Sequence, residues 1–345
     1  MDLGRVKRKT KEDLKMVKKK RMEDKENLDK SMSSLSDRIS SLESKDKETA
    51  SSKKLIVFQT LEDIQSSQAH HKAQLEYVRR KHDLKRKLID IYKRKVIKNS
   101  VLPLRYGRSV CIGDVYVLPW MVVANEGPRN RQMKDGIDVT SLIEIFYKDG
   151  KPVQNIYILG EAGYGKTMLT KYVVYEWCLA HAEDGQIESH AEEGHIEELK
   201  TFAEKMKEFD FLFFLSLRYN KAVEGNNIHK MIENQFGQTA LEILENESGT
   251  CLILMDGLDE WTPSSQPSSS QFQPQGIPLK SLTKDYTIIT TSRPWKPRAL
   301  NLDESEMVQL IELRGIRKDS VESFVNKAMK YVDESCDAET FTADI

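Results

Sequence analysis

Residues Asn155–Trp177 read NIYILGEAGYGKTMLTKYVVYEW. The apolar run Asn155–Leu159 is followed by Gly160–Thr167, which has the pattern G-x4-G-K-T, and then by a stretch in which apolar residues recur at helical spacing. A strand, a glycine-rich loop and a helix, in that order, are the arrangement that a phosphate-binding loop needs. This segment therefore predicts an α/β fold with a nucleotide site.

Each part of the loop has a chemical role. Glycines let the chain curl so that several backbone N–H groups converge on a polyphosphate, and the positive end of the following helix faces the same anion. Lys166 would supply a mobile charge to the β- and γ-phosphates, and Thr167 would offer a hydroxyl to Mg²⁺. The residues predicted to bind the nucleotide are Gly160, Glu161, Ala162, Gly163, Tyr164, Gly165, Lys166, Thr167 and Met168.

A second motif, CLILMDGLDEW, covers Cys251–Trp261. Its apolar run ends at Asp256, and the carboxyl ends of parallel strands are where open α/β sheets bind ligands. We therefore expect Asp256 to hold Mg²⁺ opposite the loop, mostly through water. Either Asp259 or Glu260 would then orient or deprotonate the attacking water.

A third motif, TIITTSRPW, covers Thr287–Trp295 and places Arg293 directly after another apolar run. A cation at this position can contact the γ-phosphate and detect its loss. Because the loop contacts only phosphates, the sequence leaves the base open. It predicts ATP or GTP together with Mg²⁺ as the ligands.

Residues 151–345 predict a doubly wound, five-stranded parallel sheet of the P-loop NTPase type. Five apolar runs alternate with helical patterns, and most of these runs lack clear polar alternation, as strands buried on both faces of a parallel sheet should. The predicted strands are Asn155–Leu159, Phe211–Leu217, Cys251–Met255, Tyr286–Thr290 and Val308–Leu313, and the predicted helices are near 167–181, 195–208, 227–246 and 318–332. Two segments, 181–198 and 261–276, are interpreted as surface insertions.

The N-terminal third has a different character. Residues 1–100 contain no proline and no glycine after Gly4, which permits long helices. We predict a charged, partly disordered tail over 1–33 and an all-helical region over 34–100, with irregular helices or a helical hairpin. Residues 101–150 are predicted to be a connector with one or two extended segments.

The three motifs together resemble the NACHT family of STAND P-loop NTPases, which includes the NOD-like receptors. The resemblance rests on GEAGYGKT, DGLDEW and TTSRPW and covers about 105–335, with a lead-in, DVYVLPWM, at 114–121. It implies a nucleotide-dependent molecular switch in innate immune or cell-death signalling. The chain up to Ile345 is expected to be a short or truncated member, without the family's lid subdomains or sensor repeats.

Three functions remain open at this level: a signalling switch with slow, Mg²⁺-dependent hydrolysis, a non-hydrolysing scaffold stabilised by nucleotide, and a nucleic-acid-dependent NTPase. Self-association or adaptor binding is expected through the N-terminal helices. The basic stretch Arg79–Lys98 also suggests nucleic acid or an anionic membrane, but a solvated helix face is the favoured interpretation. No signal peptide and no apolar run of about 18–20 residues is present, so we expect no transmembrane segment and a cytoplasmic location, with a nuclear one as the alternative.

Overall fold

The computed structural model describes residues 49–100, 109–124, 136–182, 196–219, 227–262, 276–281, 283–300 and 309–329, together with positions 30, 33, 34, 36 and 37. The chain divides into two units, Met1–His82 and Asp83–Ile345. The predicted tail, 1–33, lies almost wholly outside the described residues, as do 183–195 and 263–275 of the two predicted insertions.

The helical character predicted for residues 34–100 is found in one long helix, α1 Thr49–Lys95, which is continuous over 47 residues. The described part therefore contains one uninterrupted helix where the sequence predicted irregular helices or a hairpin, because no glycine or proline interrupts it. A short strand, β1 Lys98–Ser100, follows within the region predicted to be all-helical. None of the described helices is both long and apolar enough to cross a bilayer.

The remaining elements belong to the second unit. Its strands are β2 Ser109–Cys111, β3 Met121–Ala124, β4 Gly136–Val139, β5 Tyr147–Lys148, β6 Lys151–Pro152, β7 Asn155–Leu159, β8 Phe211–Ser216, β9 Cys251–Asp256, β10 Thr287–Ser292 and β11 Gln309–Leu313. Its α-helices are α2 Ile112–Val115, α3 Lys166–His181, α4 Ile196–Glu208, α5 Ile228–Phe236, α6 Gln238–Asn246, α7 Trp295–Ala299 and α8 Val321–Met329. Short 3₁₀ turns cover Leu142–Phe146, Ser248–Thr250, Leu258–Glu260 and Lys318–Ser320.

The central sheet has seven strands in the order β4-β3-β11-β7-β10-β9-β8. The five strands β7, β8, β9, β10 and β11 are parallel to one another. The strands β3 and β4 are antiparallel additions at the edge next to β11. The prediction of a purely parallel, five-stranded sheet is therefore wrong in strand number and in the direction of two strands. Both extra strands lie in the predicted connector and are four residues long, too short to give a periodic signal.

The core strands are buried along nearly their whole length. In β9 and β10 successive residues are buried, and since successive side chains point to opposite faces, both faces of the sheet are covered. The continuous apolar runs in the sequence predicted this environment correctly. The predicted helical stretch 227–246 is divided into α5 and α6 at Gly237, whose φ of 88° interrupts the helical backbone.

The last turns of α1 cover the open edge of the sheet at β8. The Tyr92 hydroxyl donates to the carbonyl of Leu212 (2.8 Å) and accepts from the backbone N–H of Phe214 (3.1 Å). Lys85 forms an ion pair with Asp210 (3.1 Å) just before the same strand. An uncovered edge strand would present unpaired backbone groups, and this contact satisfies two of them and fixes the end of α1 beside the sheet.

Candidate functional site

The three motifs come together at one edge of the sheet. Because β7, β9 and β10 are parallel, the residues that follow them emerge side by side at their carboxyl ends. These residues line a cavity of about 670 Å³. It contains all three candidate catalytic side chains, Asp259, Glu260 and Arg293, and both candidate metal ligands, Thr167 and Asp256.

The loop between β7 and α3 has a backbone that requires glycine. Gly163 and Gly165 have φ values of 84° and 91°, in the left-handed region that side chains disfavour. At Gly160 the reason is space, since an added Cβ would lie 3.0 Å from the Cβ of Leu313. The Gly160 N–H donates to the carbonyl of Ser292 at the end of β10 (3.1 Å). The loop is thus tied to the neighbouring strand while its tip stays exposed.

Six of the nine residues predicted to bind nucleotide line the cavity: Ala162, Gly163, Gly165, Lys166, Thr167 and Met168. The other three shape the loop. Gly160 supplies the close approach described above, the carbonyl of Glu161 accepts from the Tyr164 N–H (3.3 Å), and the Tyr164 side chain is exposed. The backbone of the loop runs directly into the N-terminus of α3, where partial positive charge favours an anion.

Lys166 folds back onto its own loop. Its Nζ donates to the carbonyl oxygens of Gly160 (2.6 Å) and Glu161 (2.9 Å). Burial lowers the pKa of Lys166, and the nearby carboxylates of Asp259 and Asp256 oppose that effect. The ammonium therefore has two neutral acceptors and nearby negative charge, and a phosphate oxygen would compete directly with the two carbonyls.

Asp256 lies at the centre of a hydrogen-bonded group. Its Oδ2 accepts from the hydroxyl of Thr167 (2.9 Å), and its Oδ1 accepts from the hydroxyl of Thr291 (2.6 Å). The Thr291 hydroxyl in turn accepts from the Gly257 N–H (3.0 Å). Thr291 belongs to β10 and is fully buried, so it fixes one oxygen of Asp256 while the other contacts Thr167 of the loop. The sequence did not identify Thr291 as part of the site.

The Thr167–Asp256 pair suits a hard cation such as Mg²⁺ in the type of its atoms. Both side chains offer oxygen, which Mg²⁺ prefers, and Mg²⁺ in phosphate sites takes only one or two protein ligands and fills the rest with phosphate and water. Among the described residues no group of three or more His, Cys, Asp or Glu side chains could hold a metal. An ion here would therefore depend on ligand oxygens.

Asp259, in the 3₁₀ turn after β9, forms an ion pair with Arg293, which follows β10. The Nε of Arg293 lies 3.0 Å from Oδ2 of Asp259, and the backbone N–H of Arg293 donates to Oδ1 (3.1 Å). The Asp259 side chain is only 6% exposed, whereas that of Arg293 is 44% exposed. Asp259 thus anchors the loop that carries Arg293, and the guanidinium remains open to the cavity.

Glu260 has a different partner, Arg218, which the sequence analysis missed. Both carboxylate oxygens of Glu260 accept from Arg218, one from Nε and the other from an Nη atom at 2.6 Å. Arg218 follows β8, the strand next to β9, so it emerges at the same sheet edge. The sequence does indicate that Arg218 belongs near the site. The segment FLFFLSLR places an arginine just beyond an apolar run, as TIITTSR does for Arg293.

Further cations line the cavity away from the loop. Lys171 lies on α3 one turn beyond Thr167, and burial lowers its pKa while Asp256 opposes the effect. Lys95 and Val96 come from the end of α1, which Tyr92 fixes to β8. The cavity lining therefore includes basic residues from α1 and from α3 beyond the loop.

The fold and this site together define an α/β protein with a polar, charge-rich cavity at the carboxyl ends of a mostly parallel sheet. A comparison with protein-family models gives no match for the chain. A search of curated proteins likewise finds no significant relative.

Proposed function

We propose that this protein is a NACHT-type, P-loop signalling switch that binds ATP or GTP with Mg²⁺ and hydrolyses it slowly. The observation that carries the proposal is the 2.9 Å contact between the Thr167 hydroxyl and the Asp256 carboxylate. These residues are 89 positions apart, and the sequence predicts both of them as Mg²⁺ ligands. Their meeting beside a loop with two left-handed glycines supports a single site for a metal-bound triphosphate.

The loop geometry supports the phosphate part of the proposal. The loop combines two left-handed glycines with the N-terminus of α3, and these are the features by which such loops direct backbone N–H groups at an anion. Lys166 would exchange its two carbonyl partners for phosphate oxygens. A bound Mg²⁺ would neutralise charge on the β- and γ-phosphate oxygens, with Thr167 and Asp256 as its protein ligands.

Hydrolysis would use the acidic turn after β9. A water oxygen would attack the γ-phosphorus, the bond from that phosphorus to the bridging oxygen would break, and Glu260 would accept the proton of the water. Arg293, held by Asp259 and open to the cavity, would stabilise charge on the transferred phosphoryl group. A diphosphate and inorganic phosphate would leave.

The test is nucleotide binding by the full chain, measured with fluorescent ATP and GTP analogues in Mg²⁺ and in EDTA. Lys166→Ala should abolish binding, and Asp256→Ala should remove the dependence on Mg²⁺. Lys151→Ala is the matched control, because Lys151 is exposed in the hairpin before β7, at the opposite end of that strand. Equal binding by Lys166→Ala and Lys151→Ala would refute the site.

A second candidate function is a non-hydrolysing, nucleotide-stabilised scaffold that self-associates or recruits an adaptor through α1. The observation in its favour is that Arg218 occupies both oxygens of Glu260, the acid to which the proposed switch assigns the activation of water. Under this alternative, nucleotide would raise thermal stability but phosphate release would not exceed that of Glu260→Gln. Turnover that is lost in Glu260→Gln would favour the switch.

A further inference from the structure

The part of α1 that belongs to the first unit exposes several large apolar side chains. Phe58 is 60% exposed, Leu61 50%, Leu75 41% and Val78 45%. Soluble proteins rarely expose apolar surface in contiguous rows, and such rows mark sites of protein contact. Because α1 is one continuous helix, these side chains can be placed in a single register.

Most of this surface forms a stripe with the spacing of a coiled coil. The α1 stripe consists of six residues that follow one another at alternating steps of three and four: Leu61, Ile64, Gln68, His71, Leu75 and Val78. A repeat of 3.5 residues is the spacing at which one helix packs along another. The two central residues, Gln68 and His71, are polar. Polar residues at such positions lower the stability of a coiled coil but fix its register.

Two copies of the α1 stripe are complementary when the helices run in opposite directions. In a twofold-symmetric pair, residue i of one copy faces residue j of the other, and j faces i. With the axis between Ala69 and His70, the facing pairs are Leu61 with Val78, Ile64 with Leu75, and Gln68 with His71. Apolar side chains therefore meet apolar side chains in the outer layers. The polar side chains of the centre share a layer in which they can hydrogen-bond.

Charge distinguishes this antiparallel pair from a parallel one. Residues 58–67 carry Glu62 and Asp63 and no Lys or Arg, whereas residues 72–81 carry one acidic side chain, Glu76, and four basic ones: Lys72, Arg79, Arg80 and Lys81. An antiparallel pair sets each acidic segment against the basic segment of the other copy and brings Glu62 within one helical turn of Arg79. A parallel pair would set the two basic segments side by side. Charges beside the core determine the orientation of coiled coils, so they favour the antiparallel pair.

The charged side chains are also accessible to a second copy. Glu62 and Asp63 are exposed, and the side chain of Arg79 is 70% exposed. The ion pair of Arg79 with Glu76 in its own helix (2.7 Å) is likewise exposed, so it stabilises little and can be shared with a second carboxylate.

We propose that the α1 stripe is the interface of an antiparallel homodimer of this chain. All six residues belong to the first unit, and none of them lines the nucleotide cavity. The dimer therefore needs no nucleotide, and it can fail or hold independently of the proposed function. It gives α1 a single partner, a direction and a register.

The first experiment measures the dimer dissociation constant of the full chain by sedimentation over a concentration series in reducing buffer. Leu75→Glu places a charge in an apolar layer and should raise that constant about 100-fold. Ile137→Glu is the matched control, because Ile137 is 67% exposed on β4 of the second unit, and it should leave the constant unchanged. A monomeric wild type, as expected if an adaptor or the N-terminal residues of the same chain cover the stripe, overturns the proposal. Equal effects of the two variants also overturn it.

Charge reversal tests the direction of the helices. Glu62→Arg and Arg79→Glu should each weaken the dimer about three- to tenfold, because two exposed pairs per dimer change from attractive to repulsive. The variant with both changes should regain most of the affinity of the wild type. In a parallel dimer Arg79→Glu would instead strengthen association by relieving repulsion, and that result would contradict the antiparallel arrangement.

Oxidative cross-linking tests the register. A chain with both Leu61→Cys and Val78→Cys should form a covalent dimer in air, because these positions face each other across the axis. Leu61→Cys alone should form no more covalent dimer than the wild type, which controls for the natural cysteines. Efficient cross-linking by Leu61→Cys alone would place the two copies in parallel and overturn the proposal.

Discussion

Replacing Tyr92 with phenylalanine tests how the end of α1 is held to the sheet. Tyr92 is 1% exposed, and its hydroxyl joins the carbonyl of Leu212 to the N–H of Phe214 on the edge strand β8. These two backbone groups are two residues apart and therefore face the same side of the strand. Phenylalanine would keep the edge-on ring contact with Trp177 at 6.1 Å and would remove only the hydroxyl.

The loss can be worked from the two hydrogen bonds. Each buried bond contributes about 0.5–1.5 kcal/mol net, and a buried group left without a partner costs more than the bond it lost. Tyr92→Phe should therefore lower the free energy of unfolding of the second unit by about 2–3 kcal/mol. For a unit of this size that corresponds to a fall of about 4–6 °C in Tm.

Thermal and urea unfolding of the full chain would measure the change. Tyr116→Phe is the matched control, because Tyr116 is also buried and stacks on Tyr172, but its hydroxyl has no hydrogen-bond partner among the described residues. That control should leave Tm unchanged or raise it slightly. If Tyr92→Phe lowers Tm no more than Tyr116→Phe does, the hydroxyl does not stabilise the edge of the sheet.

Three further changes test other parts of the second unit. Burial raises the pKa of Glu176 from 4.5 to about 7, so the folded protein holds a proton that the unfolded chain releases, and stability should fall as pH rises through that interval. Glu176→Gln should therefore be more stable than the wild type by up to about 3 kcal/mol at pH 8 and equal to it near pH 4 in urea unfolding. Thr291→Val removes a hydroxyl that orients Asp256, so the Mg²⁺ concentration for half-maximal nucleotide binding should rise about tenfold in a Mg²⁺ titration. Arg293→Ala leaves the Asp259 carboxylate buried without its guanidinium and should lower the unfolding free energy by about 2 kcal/mol, most of which Asp259→Asn in the same chain should restore.

The strands of the parallel sheet were predictable because burial on both faces leaves a continuous apolar run. Asn155–Leu159 agrees with the structure at both ends, and the other four predicted strands begin within one residue of the observed strands. The strands β3 and β4 gave no such signal. Each is only four residues long, and what makes them strands is hydrogen bonding to β11 and to one another.

The candidate site was predictable in part for a related reason. Residues that follow parallel strands must share one sheet edge, so Asp256 and Arg293 could be assigned to the neighbourhood of the loop. Their partners could not be assigned. Nothing in the sequence indicates that Arg218 pairs with Glu260, or that Thr291 orients Asp256, because each depends on which strands are neighbours.

The sequence by itself determined the local chemistry of this protein. The glycines of Gly160–Gly165 fix the loop conformation, the lack of proline and glycine permits α1, and the apolar runs define the core strands. Only the tertiary structure decided which charges meet. The strand order sets β8 beside β9, so Arg218 reaches Glu260. The hydrogen bonds of Tyr92 to β8 hold the end of α1, which brings Lys95 to the cavity wall. Which side chains pair across strands depends on the order of the strands in the sheet, and the sequence of one segment does not determine that order.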